Sequence, residues 1–486
     1  MTTPIDVAVL GGGISGLTAA FTLGVRRPEL DVRVLEAGPR LGGCIRTDRT
    51  DGFVIEAGPD SFLRTKPEAL ELCRELGLEG ELIGTRPEAH TVFLARAGRL
   101  ERMPAGMVLA APTRLWPLLR TPLLSLGGKL RAACDLVLPS GSPGDDESIA
   151  SFLSRRFGRE VAERIGGPLL GSIHAADIGE LSLAATFPQL AELEKRWGSV
   201  ILGLLALEAQ RRARTSSRSR RFLKLRALLG WLLRRRSEPR ESPFLSLRGG
   251  MEGLVERLVA RLPEERVRIN EPVVALERDG DRWLVRTASG TLSARAVIAT
   301  VPAPVAARLV PNGGLSHELG TIRYGSTAAV ALGFERSAEA RPLGGSGFLS
   351  MPGESPVLAA TWVTSKWEGR APDRHVLVRA YFGGPGSAAV LAESDGELVE
   401  TARRELERFM GALGTPLLAR VYRHQGNRPQ PTVGHRERLA RVGTELASLP
   451  GLFLAGAGYE GSGIPDCVRQ GRAAAERVSA LLSRQG

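Results

Sequence analysis

The sequence predicts an α/β fold whose nucleotide-binding domain is assembled from separated stretches of the chain. A glycine-rich turn joins a strand-like run to a helix-like run near the N-terminus, and the same arrangement returns near the C-terminus. With 486 residues, the chain is also too long for one ordinary core, so two or three domains are expected. We therefore expect other domains to be inserted between the parts of the nucleotide domain.

The first predicted element is a buried parallel strand over residues 5–10, an apolar run with β-branched residues. It leads into the sequence GGGISG and then into the helix-like run LTAAFTL. In this GxGxxG turn, Gly11 permits the tight turn, Gly13 lets a pyrophosphate approach, and Gly16 lets helix and strand pack closely. The helix N-terminus adds free N–H groups and a positive dipole end. The predicted dinucleotide contacts are Gly11, Gly12, Gly13, Ile14, Ser15 and Gly16.

A second strand is predicted over residues 31–35, and Glu36 follows it, twenty residues after Gly16. A carboxylate at this place accepts hydrogen bonds from ribose hydroxyls, which favours an adenosine without a 2′-phosphate. The strand, helix, strand and terminal glutamate together argue against a glycine turn that binds nothing.

The C-terminal part of the chain repeats the pattern. Residues 451–455 (GLFLA) predict a buried strand, which leads through GAGYEGSGIPDC into the helical run VRQGRAAAERVSALL. A glycine-rich turn into a helix N-terminus again forms backbone that attracts anions. Residues 271–274 and 296–300 are predicted as further strands of the nucleotide domain, which is therefore discontinuous.

Composition places the chain among ordinary soluble globular proteins, with 43% apolar and 24% charged residues. The four cysteines are scattered without a CxxC pair, which argues against a zinc site or a disulfide framework and fits a reducing compartment. The N-terminal residues run directly into the first strand, so no secretory signal is expected. No apolar stretch approaches the roughly 20 residues that span a bilayer. We find neither a Ser/His/Asp set nor histidines at ligand spacing, so no metal is expected.

The formal charge of +12 is concentrated in residues 211–240. A nucleic-acid surface is one interpretation, but no binding motif supports it, and no nucleic-acid partner is expected. A solvated arginine-rich face is the plain alternative. We slightly favour a basic amphipathic helix on an anionic membrane surface. The residues that suggest it are Leu225, Leu228, Leu229, Trp231, Leu232 and Arg234 to Arg236.

Five segments carry a resemblance to a known family. They are GGGISGL (11–17), LGGCIRT (41–47), EAGPDSF (56–62), LRGGMEGL (247–254) and LAGAGYEGSGIPDCVRQGRAAA (454–475). With them the chain resembles, over nearly its whole length, the oxygen-dependent protoporphyrinogen oxidases, which are FAD-dependent flavoproteins of the amine-oxidase-like superfamily. The last segment, with its Tyr-Glu-Gly, distinguishes this family from monoamine oxidases and carotenoid desaturases better than the N-terminal turn does.

The resemblance implies an α/β fold with a discontinuous Rossmann-type FAD domain, a mixed α+β substrate domain and a largely helical membrane-contacting insertion. The expected FAD domain comprises residues 1–86, 246–305 and 430–486. The expected substrate domain comprises 87–94, 201–245 with the basic segment, and 306–429. The insertion covers 95–200, and its stretch 103–141, rich in Leu, Ala and Pro, is the expected membrane-contacting part.

FAD is the cofactor that the resemblance implies. Besides the first glycine turn, its expected contacts are Glu36, Ala37, Gly43, Cys44, Arg46, Gly58, Pro59, Asp60, Ser61, Val273, Ser462, Gly463 and Ile464. The expected substrate pocket contains Gly171, Ser172, His174, Val330 and Trp362. The alternative for Trp362 is a plain core aromatic, since aromatic residues in strand-like runs usually pack. His174 is the one histidine that merits a catalytic test.

The implied activity is oxidation of protoporphyrinogen IX to protoporphyrin IX in haem biosynthesis, with three O2 reduced to three H2O2. Because the flavin accepts the hydride, no catalytic side chain beyond it is expected. Coproporphyrinogen III oxidation is the nearest alternative. An amine oxidase or desaturase and a non-catalytic flavin-binding protein are the others.

The sequence departs from the family in two places. His90 and Thr91 stand where many members have an arginine for a propionate, and Arg64, Arg86 or Arg96 could replace it. The usual AGDP appears as AADI over residues 175–178. The expected location is the cytoplasm, in peripheral contact with the inner face of the cell membrane. The oligomeric state is left open, with a homodimer as one option.

Overall fold

The computed structural model describes residues 2–141, 146–213, 231, 242–336 and 344–485. Its strands in chain order are β1 (Thr2–Leu10), β2 (Val32–Leu35), β3 (Thr47–Thr50), β4 (Phe53–Glu56), β5 (Phe62–Leu63), β6 (Leu82–Gly84), β7 (Val92–Arg96), β8 (Arg99–Arg102), β9 (Met107–Val108), β10 (Ala111–Pro112), β11 (Phe244–Leu247), β12 (Val267–Arg268), β13 (Val273–Asp279), β14 (Arg282–Thr287), β15 (Thr291–Ala299), β16 (Arg323–Glu335), β17 (Gly347–Ser350), β18 (Ala359–Trp362), β19 (His375–Gly383), β20 (Leu418–Gln430) and β21 (Leu452–Leu454).

The α-helices cover Ile14–Arg26, Pro67–Glu75, Leu115–Arg120, Leu126–Ala133, Ile149–Phe157, Arg159–Val161, Ser172–His174, Leu183–Thr186, Pro188–Trp197, Val200–Ala213, Glu252–Val259, Ala303–Leu309, Gly313–Gly320, Val363–Lys366, Ala388–Ala392, Asp395–Met410, His435–Ala447 and Ile464–Gln485. A π-helix covers Ala162–Gly171, and short 3-10 turns cover Glu79–Glu81, Pro87–His90, Cys134–Leu136 and Glu264–Arg266.

The first sheet has the strand order β12-β2-β1-β15-β14-β13, and β21 pairs with β15. Strands β12, β2, β1, β15 and β21 run parallel, whereas β14 and β13 add an antiparallel pair. Val7, Ala8 and Val9 of β1 are fully buried, as expected of a parallel strand covered on both faces. This confirms the predicted α/β architecture, and the sheet draws strands from both ends and the middle of the chain.

The second sheet has the order β20-β16-β19-β18-β17-β7-β8 and is antiparallel except for the β17–β7 pair. The helix Asp395–Met410 covers one face and begins with a capping box formed by Ser394 and Glu397. Its buried residues Leu398, Ala402, Leu406 and Phe409 follow helical spacing and join the core of the sheet. Both β7 and β8 belong to this sheet. The sheet therefore includes residues up to Arg102, whereas the first part of the substrate domain was expected to cover only residues 87–94.

Helices between residues 115 and 213 surround a separate apolar cluster that includes Phe152, Phe157 and Trp197. The buried Arg156 guanidinium donates to Asp135 at 2.6 Å and to Glu194 at 3.2 Å. Because a buried charge is tolerated only when paired, this network fixes how these helices meet. The helices of this region thus form a unit with its own core.

Most of the proposed basic helix, residues 214–230 and 232–241, lies outside the described residues. Trp231 is described, and the placement expected for it on a membrane-facing helix is wrong. Its side chain is buried in the helical cluster, and its indole N–H donates to the Pro112 carbonyl at 3.1 Å. Within the described ranges, no helix has both the length and the apolar character needed to cross a membrane.

Candidate functional site

The turn after β1 forms an open cradle. Gly11 has φ +103, a conformation that favours glycine, and a Cβ at Gly16 would lie 2.1 Å from the Gly11 carbonyl oxygen. Gly13 caps the helix Ile14–Arg26, and among the described residues no side chain caps its first N–H groups. A Cβ at Gly13 would meet nothing within 4 Å. The turn therefore offers unpaired amides and free space to a phosphate.

Glu36 lies beside this turn, directly after β2. Its carboxylate accepts from the amides of Gly12 at 2.7 Å and Gly38 at 2.8 Å. The Glu36 carbonyl accepts from the Glu271 amide at 2.9 Å, which brings the start of β13, with Val273, to the same edge. The exposed Ala37 lies between Glu36 and Gly38. The structure thus brings the predicted ribose acceptor to the rim of the cradle.

The second glycine segment packs against the first. The Gly42 amide donates to the Gly12 carbonyl at 2.7 Å, and a Cβ at Gly43 would lie 3.3 Å from the Gly13 Cα. A Cβ at Gly58 would lie 1.8 Å from the Cys44 carbonyl oxygen, so only glycine allows residues 56–58 to pass there. The predicted segments around Gly43, Cys44 and Gly58 therefore form one wall of the site.

The C-terminal segment completes the cradle. The helix Ile464–Gln485 packs on the first helix so closely that a Cβ at Gly471 would lie 2.4 Å from the Ser15 carbonyl oxygen. Asp466 is paired with Lys66 at 2.6 Å, which ties the start of this helix to the N-terminal part of the chain. Ser462 and Gly463 are accessible at the turn, whereas Ile464 is buried. All three predicted glycine segments thus converge on one place.

Asp60 anchors the Gly58–Ser61 segment. Its carboxylate accepts from Lys366 at 2.8 Å, from the Trp367 indole at 3.1 Å and from the Ser61 hydroxyl at 2.7 Å. Burial alone would raise the pKa of Asp60, but the Lys366 ammonium outweighs it and holds the pKa well below its ordinary value. This ion pair could not be predicted from the sequence, because its partners are 306 residues apart in the chain.

Cys44, in the second glycine segment, lies beside the cradle and within reach of the charge of Arg428. The Cys44 side chain is exposed, yet burial of its surroundings raises the pKa of its thiol. Arg428 shows the same combination, since its side chain is accessible while burial lowers the pKa of its guanidinium.

Further basic side chains lie beside the Gly58 segment. Arg379 donates to the Gly58 carbonyl at 2.6 Å and stacks over the Tyr381 ring at 4.8 Å. The His424 Nε2 donates to the Ala57 carbonyl at 2.8 Å. Arg46, from the second glycine segment, is exposed. Sequence reasoning missed Arg379, His424 and Arg428, although polar residues at alternate positions of β19, Arg379 and Tyr381, were a readable signal.

The predicted pocket wall, Gly171 to Asp177, follows the π-helix. Ala175 has φ +48, and its carbonyl accepts from Gln430 at 3.4 Å. It borders a groove of about 560 Å³ between the wall and strands β16 and β20. His174 is buried, and burial together with the charge of Arg428 lowers its pKa to about 4, so its imidazole is neutral at pH 7. The Ser172 hydroxyl donates back to the Leu169 carbonyl at 3.3 Å.

Trp362 and Val330, the other two residues of the expected substrate pocket, do not lie at this pocket wall. Both are buried in the core beneath the helix Asp395–Met410, where Trp362 packs against Phe93 with ring centroids 5.3 Å apart. Successive residues of a strand face opposite sides, and the neighbouring Thr361 instead reaches the Tyr381 hydroxyl at 3.4 Å. The structure therefore does not bring Trp362 to His174, which favours the core role that the sequence left open.

Arg86 and Arg96 are two of the three arginines considered for a propionate, and both contact other parts of the chain. Arg96 lies 3.9 Å from Glu101 and donates to the Pro122 carbonyl at 3.4 Å. Arg86 is exposed and donates to the Thr364 carbonyl at 3.3 Å. Among the residues that the structure describes, the partners of these two side chains are Thr364, Pro122 and Glu101, which lie away from Cys44 in the chain.

Comparisons with known proteins agree with this geometry. Residues 14–479 match the family of flavin containing amine oxidoreductases. The chain is 35% identical to coproporphyrinogen III oxidase of Bacillus subtilis, covering 96% of each protein. It is 34% identical to protoporphyrinogen oxidase of Bos taurus, covering 97% of this chain and 98% of that one. A crystal structure from Exiguobacterium sp. 255-15, provisionally assigned as a protoporphyrinogen oxidase, superposes with a TM-score of 0.83 at 32% identity over 99% of both chains.

The cofactor is FAD, and the open cradle at Gly13, the unpaired amides beside it and Glu36 at the rim fit a dinucleotide. Fold, site and relatives thus agree, and the chain belongs to the flavin containing amine oxidoreductase family.

Proposed function

We propose that this enzyme oxidises a porphyrinogen to the porphyrin, with O2 as the acceptor and protoporphyrinogen IX as the substrate that the sequence predicts. The observation that carries the proposal is the glycine cradle with basic side chains beside it, since Arg379 donates to the Gly58 carbonyl and the charge of Arg428 acts on Cys44. Porphyrinogens are large apolar rings with carboxylate side chains, which need both an enclosed space and cations. Relatives named for both porphyrinogens align over nearly the whole chain.

Bound FAD would supply the chemistry, taking hydride from the ring and passing the electrons to O2. The chain's own residues bind and orient. The amides at Gly13 and the Glu36 carboxylate would hold the dinucleotide, with further contacts from Gly43, Cys44, Arg46 and Ser462 to Ile464. The Asp60–Lys366 pair and Arg379 fix the backbone of residues 57–61 beside them.

Coproporphyrinogen III is the second candidate substrate. It carries four carboxylates where protoporphyrinogen IX carries two, and the cluster of Arg46, Arg379 and Arg428 favours the more anionic ring. The relative from Staphylococcus aureus, 32% identical over 98% of this chain, is also a coproporphyrinogen III oxidase.

Turnover on the two substrates tests the proposal. Purified protein with FAD is mixed in air with each porphyrinogen, and porphyrin fluorescence and H2O2 are recorded. Fluorescence that rises with at least one of them supports the proposal, and the ratio of kcat/KM assigns the substrate. Absence of porphyrin with both would instead favour an amine oxidase or desaturase.

We also propose that the helical insertion contacts a membrane leaflet, on the inner face of the cell membrane. Large apolar side chains are concentrated on its surface, with Leu126 73%, Leu130 64% and Val137 81% exposed. Leu126 and Leu130 lie four residues apart on the helix Leu126–Ala133, which also carries Lys129. An apolar patch with adjacent cations suits the interface of an anionic bilayer.

A further inference from the structure

The glycine turn before the last helix is held by the side chain of Gln470. This residue is 6% exposed and lies on the helix Ile464–Gln485. Its Oε1 accepts from the Gly456 amide at 3.2 Å and from the Glu460 amide at 3.4 Å, and its Nε2 donates to the Gly461 carbonyl at 3.1 Å. One buried side-chain amide thus satisfies three backbone groups of the turn.

The carbonyls at the end of this turn all point toward the same helix. Besides Gly461, the Ser462 carbonyl accepts from the Cys467 thiol at 4.0 Å, and the Gly463 carbonyl accepts from the Cys467 amide at 2.9 Å. The peptides here are trans, so the N–H of each unit points opposite to its C=O. The amides of Ser462, Gly463 and Ile464 are therefore directed away from the helix.

The preceding peptide unit shows the same alternation. Between Tyr459 and Glu460, the amide is bonded to Gln470, whereas the His435 Nε2 donates to the carbonyl at 3.2 Å. His435 is buried at the start of the helix His435–Ala447. Side chains from two helices thus fix the turn from two sides at this point.

This end of the last helix adjoins the FAD cradle. Ile464 belongs to one buried apolar cluster with Ile14, the residue that follows Gly13. Within the part of the chain that the structure describes, the amides of residues 462–464 donate to no protein acceptor. Outward amides at a helix N-terminus attract negatively charged groups of a ligand. The three amides are therefore available to the dinucleotide.

We propose that Gln470 is a positioning residue for FAD. Gly461 has φ +99 and can rotate more freely than other residues, so the bond from Gln470 is what keeps its carbonyl turned toward the helix. The amides of residues 462–464 are thereby presented to the cofactor. Amides oriented in advance bind without reorganisation and stabilise the negative charge of a reduced flavin. The inference rests on the FAD of the proposed function, but not on the identity of the substrate.

The test compares Gln470→Glu and Gln470→Met with the wild type. Gln470→Glu keeps the acceptor for two amides but places a carboxylate oxygen where the donor to the Gly461 carbonyl was, whereas Gln470→Met removes all three bonds. Ser199→Ala is the control, since it removes a buried hydroxyl that forms hydrogen bonds within the helical insertion. The FAD dissociation constant, the reduction potential of the bound flavin and the Tm of the apoprotein are measured for each variant.

Both Gln470 variants are expected to raise the dissociation constant of FAD at least about tenfold. Gln470→Glu should also shift the flavin potential to more negative values, because the added carboxylate repels a reduced flavin. Ser199→Ala should lower the Tm alone. FAD affinity and flavin potential that match the control in both Gln470 variants would overturn the inference, since Gln470 would then only stabilise the fold.

A crystal structure of the wild type with FAD decides the question even if neither variant folds. We expect FAD to be hydrogen-bonded to at least one amide of residues 462–464, with the Gly461 carbonyl still bonded to Gln470. A cofactor that contacts none of these amides overturns the inference. A wild type that binds FAD in this way, yet oxidises neither porphyrinogen, supports the inference and overturns only the proposed function.

Discussion

Single residues decide whether the N-terminal turn binds a nucleotide. Gly11 and Gly16 are required by the backbone itself, because of a positive φ at the first and a 2.1 Å approach at the second. Gly13 is different, since its φ of −74 suits any residue and its Cβ direction is empty. The empty direction at Gly13 lies beside the amides that begin the helix Ile14–Arg26, so this space is available to a phosphate.

Gly13→Ala is therefore expected to leave the apoprotein folded and to weaken FAD binding by at least about tenfold, because the methyl group occupies the place of the pyrophosphate. FAD titration by fluorescence and thermal unfolding of the apoprotein measure the two effects. Gly24→Ala is the control, on the same helix and also with nothing within 4 Å of its Cβ. Equal FAD affinity of the two variants would contradict this assignment of the cradle.

His174 makes stability depend on pH. Its folded-state pKa of about 4 lies below the ordinary 6.5, so on acidification the unfolded chain takes up the proton first. The favourable contribution of the neutral imidazole is complete above pH 6.5 and is lost as the pH falls to about 4. Between pH 6.5 and about pH 4, the unfolding free energy of the wild type should fall by up to about 3 kcal/mol more than that of His174→Gln. Denaturant unfolding at several pH values measures the difference, and parallel curves would contradict it.

At the scale of elements, strand–glycine–helix units were predictable because their chemistry is local. A buried run, glycines at fixed offsets and helical spacing all lie within a few residues of each other. The side of a strand that faces the cavity was not predictable in the same way. Trp362 and Thr361 are adjacent, and only the pairing of β18 with β19 decides that Thr361 faces Tyr381.

The helix Leu126–Ala133 is the element on which the membrane proposal depends. Leu126→Glu/Leu130→Glu should abolish sedimentation with anionic liposomes while leaving FAD content unchanged, since both side chains point away from the core. Val25→Glu is the control, an exposed apolar residue on the helix Ile14–Arg26. Sedimentation of the double variant at the level of the control would assign membrane contact to another surface.

At the scale of the whole molecule, the site is made where distant parts of the chain meet. Asp60 and its partner Lys366, Lys66 and Asp466, and Arg379 with Gly58 each join stretches that are remote in sequence. Periodicity and motif spacing carry no information about such pairs. The FAD segments could therefore be predicted from the sequence, whereas the basic side chains beside them, such as Arg379, could not.

The most direct test of the account is anaerobic mixing of the FAD-loaded enzyme with coproporphyrinogen III or protoporphyrinogen IX in a stopped-flow instrument, followed by addition of air. If the chain is a flavin-dependent porphyrinogen oxidase, oxidised flavin absorbance is lost on mixing with at least one substrate. It then returns with O2, and porphyrin fluorescence accumulates in step. Flavin that stays oxidised with both substrates, in protein that binds FAD fully, would contradict the account.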